Sequence, residues 1–166
     1  MESSPARRTS GNSRAPSSRI WRRSSLEGPG CLGYLWPVTL PRLQLTALDC
    51  PDPLALAEFY SKLTGLEVEP LGDFPPGDVD WIELDNGSQP TLAFQKVDTY
   101  VAPTWPEGPL PQQLHLDFVI DDLDRGERLA LSLGATKHRY QPGGTFRVFL
   151  DPVGHPFCLV LRDVQP

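Results

Sequence analysis

A chain of 166 residues, 39 % apolar and 22 % charged, has room for one domain, or for one domain and a tail. Six arginines against Glu2 and Glu27 give the first 40 residues a charge of +4, so a total of −6 leaves −10 for residues 41–166. So acidic a body lacks the basic footprint that nucleic-acid phosphates or an anionic bilayer surface require, which excludes both as partners.

Residues 1–29 are rich in Ser, Arg, Pro and Gly and hold almost no aliphatic side chains. Such a segment cannot bury enough apolar surface to offset its ordering entropy. Residues 1–40 therefore read as a disordered tail, or as a start-site artefact with translation beginning near Val38. Two targeting readings rank behind. One is an organellar transit peptide, from the Arg- and Ser-rich, acid-poor composition. The other is a twin-arginine signal, from Arg22-Arg23 ahead of the apolar patch Cys31 to Leu40. Cys31, Cys50 and Cys158 are odd in number and widely spaced, so neither a disulfide framework nor a zinc ribbon is expected. Reduced thiols suit a cytoplasmic protein, and no run is long enough to span a bilayer.

The expected domain covers residues 41–166. A strand is predicted over Leu43 to Asp49. Asp52-Pro53 then opens a helix as N-cap and first helical residue. Leu54, Ala57, Phe59, Tyr60 and Leu63 form its apolar stripe, and Gly65 ends it. Strands follow at Leu66 to Leu71, Trp81 to Leu84 and Thr91 to Lys96. Asp85-Asn86-Gly87 between the last two is a hairpin signal, because Asn-Gly tolerates the positive φ of a tight turn. Residues 97–112, with Pro103, Pro106, Pro109 and Pro111, read as a linker. The order then repeats: a strand over Gln113 to Ile120, and a helix from Asp122 to Gly134 with Leu123, Leu129, Leu131 and Leu133 inward. Strands at Ala135 to Tyr140, Thr145 to Leu150 and Pro156 to Leu161 complete it. Asp151-Pro152-Val153-Gly154 makes the last turn.

The order βαβββ thus occurs twice, offset by roughly 70 residues. Leu45 corresponds to His115, Asp52 to Asp122, and Gly65 approximately to Gly134. Three stretches carry a resemblance. The first is Asp52-Pro53 through Glu58-Phe59-Tyr60 and Leu63 to Gly65-Leu66. The second is Leu114-His115-Leu116-Asp117-Phe118-Val119-Ile120-Asp121-Asp122. The third is Phe149-Leu150-Asp151-Pro152-Val153-Gly154-His155-Pro156-Phe157. In this order they resemble the landmarks of the glyoxalase/bleomycin-resistance/extradiol-dioxygenase superfamily, the vicinal oxygen chelate fold, and its uncharacterised glyoxalase-like branch in particular. The resemblance implies an α+β domain in which two βαβββ modules form a curved mixed sheet around one cavity. It also implies a homodimer.

In metal-using members of that superfamily the ligands lie on the first and last strand of each module. Carried over, those positions are Leu45, Gln95, His115 and Cys158. Leucine coordinates nothing and no position is a carboxylate, so a divalent metal ion is left at most three donors of mixed hardness: His115, Gln95 and Cys158. On the plainer reading His115 is a satisfied cavity histidine and Cys158 a small buried apolar residue. Strand alternation adds that Asp117 shares a face with His115, and that Leu45, Ala47 and Asp49 share another. A histidine beside carboxylates in an apolar cup is an acid/base constellation, with His115 and Asp117 as its catalytic candidates. The competing reading has Asp49 and Asp117 capping loops at strand ends. The ligand cavity is expected at Leu45, Ala47, Asp49, Gln95 and Cys158. His155 is assigned a structural role, His138 a solvent-exposed one, Trp81, Phe94 and Phe118 the core, and Trp105 a lid. No P-loop, dinucleotide fingerprint or nucleophile elbow is present.

Two functions compete. One is binding of a small organic molecule between the modules, without the glyoxalase isomerisation. The alternative is a metal-dependent lyase, isomerase or dioxygenase that uses His115 and Gln95, with Asp117 moving a proton.

Overall fold

The computed structural model describes residues 43–162 except 73, 74, 76, 77, 86 and 88–90. The tail, Cys31 and Asn86 fall outside the described residues. Strand β1 (Leu45–Cys50) leads into helix α1 (Pro53–Thr64), then β2 (Glu67–Val68), β3 (Trp81–Asp85) and β4 (Thr91–Lys96). The second module repeats this as β5 (Leu116–Ile120), α2 (Leu123–Ser132), β6 (Thr136–Lys137), β7 (Phe146–Leu150) and β8 (Pro156–Leu161). Each module is a four-stranded mixed sheet, of order β1-β4-β3-β2 and β5-β8-β7-β6. The first and last strands pair in parallel, and the other pairs are antiparallel. The βαβββ duplication read from the sequence is therefore the architecture.

The helix boundaries follow the punctuation. Asp52 accepts from Ala55 N at 3.1 Å, and Gly65 takes the left-handed cap at φ 80° that a residue with a Cβ would resist. Asp122 accepts from Asp124 N and Arg125 N. Helix α2 differs from expectation in its buried face. Gly126 and Ala130 are buried and Leu123 and Leu133 half-buried, whereas Leu129 and Leu131 are exposed. The stripe 123/126/130/133 follows the helical period; Leu129 and Leu131 lie off it. Strands β2 and β6 are two residues each, far shorter than predicted. Both are edge strands, with one neighbour to pair with.

Alternation fixes which side chains face the site. Leu48, Phe94 and Ile82 lie in one cross-strand row and are buried. The ring of Tyr60 stacks on Phe94 at 5.5 Å and meets Phe118 at 5.9 Å and Phe157 at 6.3 Å. Helix α1 thus packs its aromatics against both sheets, and the two modules share one core. Burying aromatics of this size is worth about 1.5–3 kcal/mol each. On the second sheet, Arg147 reaches Glu127 and Asp124 and pins α2. Residues of opposite parity, Ala47, Asp49 and Gln95 in one module and Asp117 and Cys158 in the other, are left for the far faces.

Candidate functional site

The parallel register of β5 on β8 sets Asp117 directly across from Cys158. His115 precedes β5 by one residue and shares the face of Asp117, with Nε2 3.5 Å from Asp117 Oδ1. One donor atom from each of His115, Asp117 and Cys158 lies within 4.8 Å of the other two. Cys158 is buried, while the His115 and Asp117 side chains are 47 % and 57 % exposed, so the trio has a closed floor and an open mouth. Burial, and then the Asp117 carboxylate, push the Cys158 thiol up to about 12. It is a neutral thiol near pH 7 and a poor nucleophile. Cys50 is likewise pushed up to about 12, by burial and then by Asp52 and Asp151.

The expected metal set is not assembled as the superfamily would have it. Leu45 opens β1 and offers no donor atom. Gln95 is exposed on β4, paired with Asp49 and Trp81 in the first sheet. Among the described residues no hydrogen bond links it to His115, Asp117 or Cys158. The residues present therefore do not fit a four-ligand ion bridging the two modules. Asp117, read from the sequence as acid/base, is the residue that joins His115 and Cys158.

A cavity of about 510 Å³ lies beside the trio rather than over it. Ala47 and Asp49 of β1 form one wall. The segment from Val97 to Pro111 covers it, Gln113 and Leu114 close it just ahead of His115, and His155 lines its polar end. Of the expected cavity residues, Ala47 and Asp49 line it, and Leu45, Gln95 and Cys158 do not. The reason is the segment 97–112. It folds back on itself through Thr104 N to Leu110 O at 2.6 Å and lies against β1, so the cavity forms between linker and strand.

Sequence reasoning missed Tyr100, and it named His155 without placing it at the cavity. Tyr100 Oη donates to Val153 O at 3.1 Å. His155 Nε2 lies 2.7 Å from Asp49 O and 3.2 Å from Tyr100 Oη. A backbone carbonyl only accepts, so Nε2 carries a hydrogen and donates it to Asp49 O. His155 is therefore structural, as expected, and it also lines the cavity. Gly154 makes the seat: its φ is 99°, and a Cβ there would lie 2.7 Å from Ala102 Cβ. The available signal was an aromatic and valines, Tyr100 with Val97 and Val101, inside a segment otherwise read as a Pro-rich linker. Trp105 is no lid: it packs on His138 at 5.0 Å and Tyr140 at 5.6 Å, and His138 is half-buried by it rather than exposed.

Comparison with known proteins sets this geometry in a wider group. The family model described as a glyoxalase-like domain matches residues 46–160. Among solved structures, a glyoxalase/bleomycin resistance protein/dioxygenase family enzyme from Burkholderia phytofirmans PsJN is 18 % identical with a TM-score of 0.54, over 73 % of this chain and 98 % of that one. A glyoxalase family protein from Enterococcus faecalis is 25 % identical with a TM-score of 0.52, over 72 % and 96 %. A fosfomycin resistance protein from Mesorhizobium loti is 16 % identical with a TM-score of 0.55, over 76 % and 95 %. These are likenesses of fold. No curated protein matches the chain in sequence.

Proposed function

The chain belongs to the glyoxalase-like domain family, and from that premise we propose that it binds a small organic molecule in the cavity between β1 and the segment 97–114, without catalysing the glyoxalase isomerisation. The observation that carries this reading is the cavity itself. Its volume of about 510 Å³ lies within the range of small-molecule sites, and its lining is apolar with a few convergent polar groups. Val97, Val101, Leu110 and Leu114 offer surface for an apolar or aromatic body. Asp49, Tyr100, Gln113 and His155 offer polar contacts that would orient it. Leu45 and Gln95 argue against the isomerisation, because neither supplies the carboxylate or the metal grip it needs.

The same reading takes the protein to be cytoplasmic and homodimeric. A reducing compartment suits the free thiols Cys50 and Cys158. Val119 on the open face of β5 is 61 % exposed, which leaves apolar surface for a second copy. Sedimentation as a monomer at micromolar concentration would remove the dimer from the proposal. Among the described residues no helix is long and apolar enough to cross a membrane.

Binding is tested by calorimetric titration of a neutral aromatic probe, 2-naphthol, into the native chain and Ala47→Trp. Ala47 is exposed on the cavity wall, so an indole there fills the space without disturbing the core. Saturable binding lost in Ala47→Trp supports the reading. Equal binding by both proteins rejects it.

A further inference from the structure

We propose that the cavity between β1 and the segment 97–114 selects an organic amine, bound as its ammonium ion with the Asp49 carboxylate as counter-ion. The inference rests on the reading of that cavity as a small-molecule site. Asp49 shares a face of β1 with Ala47, while Leu48 between them is buried in the core. The strand period therefore turns the Asp49 side chain to the cavity side. Its carboxylate forms no ion pair or hydrogen bond among the described residues. Its charge is felt at the opposite wall: burial first, then Asp151, Cys50 and Asp49, push the Tyr100 phenol above its ordinary range.

The donors around the cavity are already committed. His155 Nε2 donates to Asp49 O at 2.7 Å, and Tyr100 Oη donates to Val153 O at 3.1 Å. One amide hydrogen of Gln113 goes to Pro111 O at 3.0 Å. Along the linker, Val97 N donates to Cys50 O, Tyr100 N to Val97 O and Leu110 N to Thr104 Oγ1. Pro103 and Pro111 have no N–H to give. Among the described residues no lysine or arginine lines the space. An anionic guest would meet a carboxylate of like charge. It would find few free side-chain donors, the Thr99 hydroxyl and the second amide hydrogen of Gln113, to replace its hydration. An ammonium brings its own donors to an unpaired acceptor, and charge strengthens each bond they make. Its apolar body would lie against Val97, Val101, Leu110 and Leu114.

Three probes with one apolar body and different charge separate the classes: 2-naphthylmethylamine, 2-naphthylmethanol and 2-naphthoate. Each is titrated calorimetrically at pH 7 into the full native chain, Ala47→Trp, Asp49→Asn and Asp98→Asn. The amine should bind the native chain about fivefold more tightly than the alcohol, as one exposed charge pair allows, and naphthoate more weakly than either. Asp49→Asn should reduce the preference for the amine below twofold. Asp98 is exposed on the linker outside the cavity lining, so Asp98→Asn removes the same charge and should keep the preference. If Ala47→Trp blocks the alcohol but the native chain prefers the amine by less than twofold, the inference is overturned and the small-molecule reading stands. The inference also fails if naphthoate binds tightest, if Asp49→Asn keeps the preference, or if Asp98→Asn loses it. No saturable binding by any probe, or equal binding by Ala47→Trp, overturns the small-molecule reading and this inference with it.

Discussion

The phenol of Tyr60, on α1 of the first module, donates to Asp151 Oδ2 in the last turn of the second at 2.9 Å. Both residues are buried. Asp151 Oδ1 also accepts from Val153 N at 3.0 Å and His155 N at 2.9 Å, so the carboxylate organises the turn that carries His155 to the cavity. Burial holds the Asp151 carboxyl above its usual range.

Tyr60→Phe removes the donor and leaves a buried carboxylate oxygen without it. A loss of about 1–3 kcal/mol in denaturant unfolding is expected for a buried polar group left unsatisfied. A variant as stable as the native chain would mean that the contact between modules contributes nothing net.

Glu127 of α2 accepts from Lys137 at 2.9 and 3.1 Å and from Arg147 at 2.5 Å. The Lys137 hydrogen bond, and then that of Arg147, hold its carboxyl below the usual range. A depressed carboxylate contributes stability that is complete above its unfolded value of roughly 4.3 and is lost as pH falls through the folded value. Glu127→Gln should therefore lower Tm at pH 7 by a few degrees, with the gap to the native chain closing toward pH 3. A gap that is independent of pH, or that widens on acidification, would contradict the linkage.

Residues 1–29 carry six arginines and no core-forming pattern. Removing residues 1–29 is expected to leave Tm nearly unchanged. A drop of several degrees on truncation would move the domain boundary toward the N-terminus.

Much of the fold was legible because helices announce their ends. Asp52-Pro53 and Gly65, then Asp122 and Gly134, bracket two helices, and the strands between follow from alternation. Strand length was less legible. Leu66 to Leu71 alternates like a strand, but its register with β3 covers Glu67 and Val68, the ladder ends with Glu69 N donating to Glu83 O at 3.0 Å, and Pro70 has no N–H to continue it. The shared face of His115 and Asp117 follows from the two-residue period of a strand. Their meeting with Cys158 does not, because the register of β5 on β8 is set by packing across some 40 residues of intervening chain. The cavity was legible only at Ala47 and Asp49. Its other wall comes from folding of the linker, which local patterns do not encode.

Isomerisation of a thiohemiacetal needs an ion that grips two adjacent oxygens and a carboxylate base at the reacting carbon. Gln95 and Cys158 occupy the positions that would supply it. Loss of a general base costs roughly 10²–10⁴ in rate. With nickel, zinc, cobalt or manganese added and several thiol cofactors tried, turnover should stay far below the usual enzyme range of roughly 1–10³ s⁻¹. Turnover within that range, abolished by His115→Ala, would restore the metalloenzyme alternative.

Binding in the cavity is tested most directly by amide chemical-shift mapping during titration with 2-naphthol. Saturable shifts are expected at Ala47, Tyr100, Val101, Leu110, Leu114 and His155, which surround the cavity between β1 and the linker. The absence of saturable shifts up to the solubility of the probe, or shifts centred on α2 and away from these residues, would contradict the proposed function.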